Sequence, residues 1–303
     1  MPVADSQLVS VIIIFWNAKP FLAEAVASVV AQSYPDWELL LVDDGSTDGS
    51  TDLAQHLVAA DPHRMRYLEH PQHANRGMSA SRNLGIAQAR GTYLAFLDAD
   101  DVWFPNALEE QVEILRSQPD AGMVYGPIEW WYSWSGRDED REQDYVEPLG
   151  VPANTLLPPP RLLSLFLRDR AAVPSGVMVR RDLAERLGGF ENEFRGEYED
   201  QVFCAKVCLN ASVFASNRCW YRYRQHPNST VSLGIQTGAT HGARLTYLNW
   251  LAGYLTSNGI TDAGVWRALR FEFWRFRHPR AYRLLRRGEY FVMKVRESSS
   301  VAK

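Results

Sequence analysis

Three carboxylates close the stretch YLAFLDADDVW (93–103): Asp98, Asp100 and Asp101 follow an apolar run that reads as a buried strand. In an open α/β sheet, the C-terminal ends of parallel strands border the ligand crevice. Like charges gathered there repel one another, and a cation or a polyhydroxyl ligand is the natural compensation. An Asp-x-Asp in this position therefore suggests a divalent ion holding a diphosphate. Asp101 alone has a plainer reading, as the N-cap of a helix begun by FPNALEEQ. A second pair, Asp43 and Asp44, ends the apolar run WELLLV (37–42) and leads into Gly45. If both runs are strands of one parallel sheet, their acidic ends share a cleft. A nucleotide with its metal would satisfy it, because carboxylates accept from base and ribose hydroxyls while the cation neutralises phosphates. Asp43 has an alternative role, shaping the turn into Gly45.

The elements that must position these groups follow an alternating rhythm. VSVIIIF (9–15) is an apolar run of strand length. A helix over about 20–32 carries Phe21, Leu22, Ala25, Val26, Val29 and Val30 on one stripe. The second strand follows, then a helix capped by Ser46 or Asp48, a short strand MRYLEH, and a helix over 77–89 that feeds the strand at 92–97. This β-α-β-α-β-α-β order calls for a parallel sheet with right-handed crossovers. A helix near 105–117 and a strand at 121–126 continue it. Residues 130–160 fit no period and read as a long loop. Regular structure resumes with a strand at SGVMVRR, helices near 182–187 and 199–210, and one strand over 212–222. Beyond 239 the pattern is helical.

Composition sets the bounds. The chain has 303 residues, 46% hydrophobic and 22% charged, with a net charge of −4. That is ordinary for a globular protein. The charge is unevenly placed: eleven Lys/Arg against three Asp/Glu from Gly264 to Lys303 leave the preceding residues at −12. An acidic body argues against nucleic acid as its partner. No basic segment precedes the apolar residues 9–16, and no run is long enough to span a bilayer. The three cysteines, Cys204, Cys208 and Cys219, match no zinc spacing and read as buried thiols of a reducing compartment.

The motifs VSVIIIFWN, LLLVDDGSTDGS, SASRNLGIAQARGTYLAFLDADD, LGGFENEF, EYED and YRQHPNSTVS, in that order, resemble the large inverting family-2 glycosyltransferases with the GT-A fold. The resemblance runs from about residue 8 to 233. It implies a three-layer α/β/α sandwich with a mostly parallel central sheet, plus a C-terminal helical extension. Residues 1–235 would be the GT-A domain, with a nucleotide-binding half at 1–126 and an acceptor-binding half at 127–235. Residues 236–303 would be the basic, aromatic extension. By position, the resemblance implies that Asp44 bonds the base of a nucleoside-diphosphate sugar, a UDP-sugar being favoured. Asp43 lies in the same donor site, Arg82 approaches the diphosphate, Asp98 holds the ribose, and Asp100 ligates Mn²⁺ or Mg²⁺. Asp200 resembles the general base that takes the acceptor hydroxyl's proton. His226 would contact a phosphate or join the metal, and Glu199 would lie toward the acceptor.

The sequence departs from the family at Ile14-Phe15-Trp16, where a small polar run usually precedes the Asn. It also lacks the Gln-x-x-Arg-Trp signature of processive synthases, which implies a single addition. Trp131 and Trp134 have faces suited to a sugar acceptor, or to packing their loop on the body. The Arg- and aromatic-rich segment from Trp266 could lie on an anionic membrane surface, where a glycolipid acceptor would give it a purpose, or cap the domain with Arg outward. The implied setting is cytoplasmic, with peripheral contact at the inner face of the membrane. Two alternatives stand beside this reading. A catalytically silent nucleotide-sugar-binding module would be expected to lack Asp100 or Asp200. A sugar nucleotidyltransferase needs a Gly-rich basic loop after the first strand, where this chain has WNAKPF.

Overall fold

The computed structural model describes residues 7–282. Its N-terminal half supplies the parallel strands β1 (Val9–Phe15), β2 (Trp37–Asp43), β3 (Met65–Glu69) and β4 (Tyr93–Asp98). Next come β5 (Val102–Trp103), β6 (Ala121–Tyr125), β7 (Ile128–Trp131) and β8 (Tyr145–Val146). The set ends with β9 (Thr155–Leu157), β10 (Met178–Arg180), β11 (Ser212–Ala215) and β12 (Tyr221–Arg224). Eight strands form the central sheet in the order β3-β2-β1-β4-β10-β6-β11-β9. β10 runs antiparallel to both β4 and β6, and β9 antiparallel to β11; the other pairings are parallel. A smaller sheet, β5-β12-β7-β8, stands beside it.

Helices cover both faces of the large sheet, which explains why β1 and β2 are buried along their whole length. Ile12 and Ile14 enter one core with Leu40, Val42 and Leu94. Val11, Ile13 and Phe15 enter the other, against helices Leu22–Val30 and Ala107–Ser117. The polar pair within these strands is satisfied: Glu38 accepts from Ser10 Oγ at 2.6 Å, Arg90 N at 2.7 Å and Arg66 Nη2 at 2.9 Å. The result is the expected three-layer α/β/α arrangement.

Two expectations need correction. Residues 130–160 are not one irregular loop, since they hold the second half of β7, all of β8 and β9, a 3₁₀ turn and the short helix Asp138–Arg141. Strands of two to four residues leave too few positions for a period to register. The stretch 212–222 is likewise two strands rather than one. β11 joins the large sheet and β12 the small one, so the chain changes sheets between Ala215 and Tyr221.

The C-terminal helices Ala239–Ser257 and Ala263–Arg277 pack on the body. Tyr247, Leu248, Leu251, Leu255, Val265, Ala268 and Leu269 belong to the same core as Ile12. Arg267, Arg270 and Arg277 point to solvent, the arrangement expected of a cap with Arg outward. The part of the basic segment beyond Tyr282 lies outside the described residues.

Candidate active site

Strand register brings the acidic ends together. Phe15 of β1 is level with Asp43 of β2, and Ile14 is level with Asp98 of β4. Asp43 is fully buried, and its carboxylate accepts from Ser46 N at 2.8 Å, Thr51 Oγ1 at 2.6 Å and Tyr67 OH at 3.2 Å. These bonds hold the turn at Gly45, whose φ of +80° suits glycine. Asp44 accepts from the backbone N–H groups of Arg76, at 2.6 Å, and Gly77, at 2.9 Å. It therefore anchors the segment entering helix Met78–Gln88. Asp48, expected at the next helix start, accepts there from Ser50 N at 2.9 Å.

Arg82 connects the strand ends to a distant helix. Its Nη2 donates to Asp98 Oδ1 at 2.7 Å and its Nη1 to Glu199 Oε1 at 2.5 Å. Arg82 is 5% exposed and Glu199 4%, so this ion pair is desolvated. Such a pair is weak evidence of stability but strongly sensitive to losing one partner. Glu199 opens the helix Glu199–Asn210, and Asp200 follows it. Burial pushes the Glu199 carboxyl up to about 7, against the opposing pull of Arg82 and with a further push from Asp200. Burial raises Asp200 as well, with Arg82 again opposing. Two adjacent carboxylates whose proton affinity burial raises, close to one guanidinium, are suited to proton transfer.

Asp100 follows Asp98 by two residues. Its Oδ2 is 3.0 Å from His226 Nε2. Oxygen and imidazole nitrogen together suit a divalent transition metal, and two neighbouring ligands at about 2.1 Å from an octahedral ion would also be about 3 Å apart. Among the described residues no three His, Cys, Asp or Glu side chains gather closely enough to hold a metal ion by themselves. His226 packs on Phe21, with ring centroids 4.8 Å apart, and meets Trp134 edge-on.

Arg224 is the residue that sequence reasoning missed. It is 3% exposed, donates from Nε to the Asp100 carbonyl at 2.5 Å, and pairs with Glu24 at 2.6 Å. Its guanidinium lies over Trp131, Trp134 and Phe21, within 4.5–5.1 Å of each ring. Trp134 Nε1 donates to the Gln225 carbonyl at 2.7 Å. Trp131 and Trp134 therefore pack around Arg224 on the Asp100 side of the cleft. The alternation YRYR gave no signal for it, since the buried residues of β12 are its two ends, Tyr221 and Arg224, which lie on opposite faces of the strand. Of the run Ile14-Phe15-Trp16, the first two are core and Trp16 is 60% exposed.

Asp101 does not cap a helix. It is fully buried and accepts from Tyr221 OH and from Arg224 N at 2.7 Å, joining the end of β4 to the small sheet. Burial drives its carboxyl well above the usual range, with Asp100 and Asp98 adding to the effect. Tyr221→Phe should lower unfolding stability by about 1–3 kcal/mol, because it removes one of the two donors to a buried carboxyl group. Chemical denaturation checks this. Cys204 and Cys208 are buried thiols, as expected, whereas Cys219 is only half-buried, because it lies in the link between β11 and β12; burial raises all three.

Residues 10–188 match Glycosyl transferase family 2. TuaG of Bacillus subtilis, named as a glycosyltransferase proposed for teichuronic acid biosynthesis, is 42% identical over 112 residues, covering 37% of this chain and 43% of TuaG. The match thus spans less than half of TuaG's length. The uncharacterized glycosyltransferase EpsJ of the same organism is 29% identical over 252 residues, 82% of this chain and 70% of EpsJ. Among solved structures, Staphylococcus aureus TarS 1–349 in complex with UDP-GlcNAc superposes with a TM-score of 0.56 at 20% identity, over 74% of this chain and 60% of that one. The mannosyltransferase PcManGT of Pyrobaculum calidifontis, in complex with GDP-Man and Mn²⁺, gives 0.55 at 18%, over 94% and 80%. These two are likenesses of fold.

Proposed function

This chain belongs to glycosyl transferase family 2 and has a GT-A-like α/β fold, and from that premise we propose that it moves one sugar from a nucleoside-diphosphate donor to a hydroxyl acceptor with inversion. The observation that carries the reading is the junction at Arg82. One guanidinium joins Asp98, beside the Asp100–His226 pair, to Glu199 at the start of another helix, where Asp200 is the next residue. Donor and base would thus be held across one cleft.

In this reading Asp43 and Asp44 shape the base end, Asp98 receives the ribose, and Arg82 places positive charge beside the diphosphate. Asp100 and His226 would hold Mn²⁺ or Mg²⁺, which when bound stabilises charge on the departing diphosphate. Asp200 accepts the proton of the acceptor hydroxyl as its oxygen bonds the anomeric carbon and the bond to diphosphate breaks. Inversion follows from attack on the face opposite the leaving group. Glu199, Trp131 and Trp134 would border the acceptor, a glycan or glycolipid of polysaccharide assembly. The exposed Arg267, Arg270 and Arg277 would suit the phosphates of a lipid-linked acceptor at the cytoplasmic face of a membrane. No helix among the described residues is long and apolar enough to cross one.

Calorimetric titration with UDP, GDP, dTDP and CDP, each with Mn²⁺ and with EDTA, tests the donor site. The expected result is tight binding of UDP only with metal. Binding of none of the four would count against the site as read.

A further inference from the structure

The turn that introduces the acidic pair is held in an unusual conformation. Tyr198, immediately before Glu199, has φ 73° and ψ 1°, in the left-handed region that a bulky aromatic residue rarely occupies. Such a conformation persists only when its surroundings over-determine it, and it recurs at functional sites. Here the surroundings can be named. The Tyr198 ring stacks on Tyr247 with centroids 5.4 Å apart and planes 17° from parallel. Arg244, one turn earlier on the same helix, lies within electrostatic reach of the Tyr198 side chain. Arg244 is in turn clasped by Glu272, which is fully buried on the last described helix and also pairs with Arg275 at 2.9 Å.

The neighbouring residue is gripped from the same side. Glu197 Oε1 accepts from Thr240 Oγ1 at 3.0 Å, and helix Thr230–Thr237 approaches so closely that a Cβ on Gly234 would lie 1.7 Å from that oxygen. On the opposite side, Arg195 packs on Gly77 and donates to the Asn75 carbonyl at 3.0 Å. The turn 195–198 is therefore wedged between the segment that Asp44 anchors and the C-terminal helices. Those helices lie beyond the family match, which ends at residue 188.

We infer that the C-terminal helices complete the active site by fixing the left-handed turn at Tyr198, so that Tyr198, Tyr247 and Arg244 are positioning residues for the base at Asp200. The inference rests on the transferase reading given above. Its physical content is orientation: the first helical turn carries both acidic residues, and a rotation about Tyr198 would swing the Asp200 carboxylate away from the acceptor. A displacement of that kind changes catalysis without changing the donor site.

Two substitutions approach the stack from either side. Tyr198→Gly accepts the left-handed backbone without strain but removes the ring. Tyr247→Leu removes the opposing ring together with a buried hydroxyl that has no hydrogen-bond partner among the described residues. The expected result for each is a fall in kcat of about tenfold or more, with the donor KM and nucleotide affinity within about twofold of wild type. Tyr198→Phe, which keeps the ring, should retain kcat within about threefold. Asp200→Asn in the same assay separates the two levels of the argument. If it is inactive while both stack variants turn over at the wild-type rate, the buttress is overturned and the base assignment stands. If Asp200→Asn is itself fully active, the underlying reading fails. Loss of nucleotide binding along with kcat in the stack variants also overturns the inference, because the turn would then support the whole domain.

Discussion

Replacing Asp200 with Asn is expected to lower kcat by on the order of 10²–10⁴-fold while leaving nucleotide affinity within about twofold. The amide keeps the shape and the oxygen that accepts from Gln201 N at 2.7 Å. It cannot take a proton from the acceptor. The pH dependence gives an independent check on the intact protein. A base must be ionised to act, and burial raises the Asp200 carboxyl from its usual value while Glu199 is pushed up to about 7. Activity should therefore fall as pH is lowered through the raised values, on an acid limb that is shifted up from the usual carboxylate value and reaches toward about 7. The two groups share Arg82, so the limb belongs to the pair rather than to either residue. A kcat/KM profile flat from pH 5 to 8 would remove the base from this pair.

Asp100→Ala should abolish the metal dependence of donor binding. In wild-type protein, Asp98 and Asp100 oppose a diphosphate unless a cation intervenes, so EDTA should weaken nucleotide binding strongly. In the proposed site the variant would lose a metal ligand and also a repelling charge. Its affinity in Mn²⁺ should fall by on the order of 10²-fold, toward its affinity in EDTA. Its affinity in EDTA should equal or slightly exceed that of wild type in EDTA. The ratio of the two constants is the decisive quantity, and calorimetry supplies it. An unchanged ratio would move the ion away from Asp100. His226→Ala, carried through the same titration, reports whether the 3.0 Å partner shares the ion.

The N-terminal half of the fold was legible because its strands are long, continuous and buried. VSVIIIF and WELLLV are bounded by turn and carboxylate residues, and the observed strands match those limits to within a residue. A run buried on both faces shows its nature in composition alone, without reference to partners. The acidic strand ends were legible for the same reason, since parallel strands leave their C-terminal ends along one edge. What the sequence by itself determined, then, was the sheet and the edge on which chemistry gathers.

Only the tertiary structure decided how that edge is wired. Arg82 reads as an arginine on a helix, expected near a diphosphate; its partner Glu199 is 117 residues away. Asp101 reads as a helix cap, yet Tyr221 and Arg224 claim it from 120 and 123 residues further on. Neither pairing leaves a local pattern, because side-chain hydrogen bonds between distant elements depend on how those elements pack. The small sheet was hidden for a related reason: its strands are two to four residues long and are stabilised by neighbours rather than by their own periodicity. The backbone of Tyr198 is the extreme case. Nothing in EYED announces a left-handed turn, and it is the helices about 40 to 80 residues downstream that hold it there.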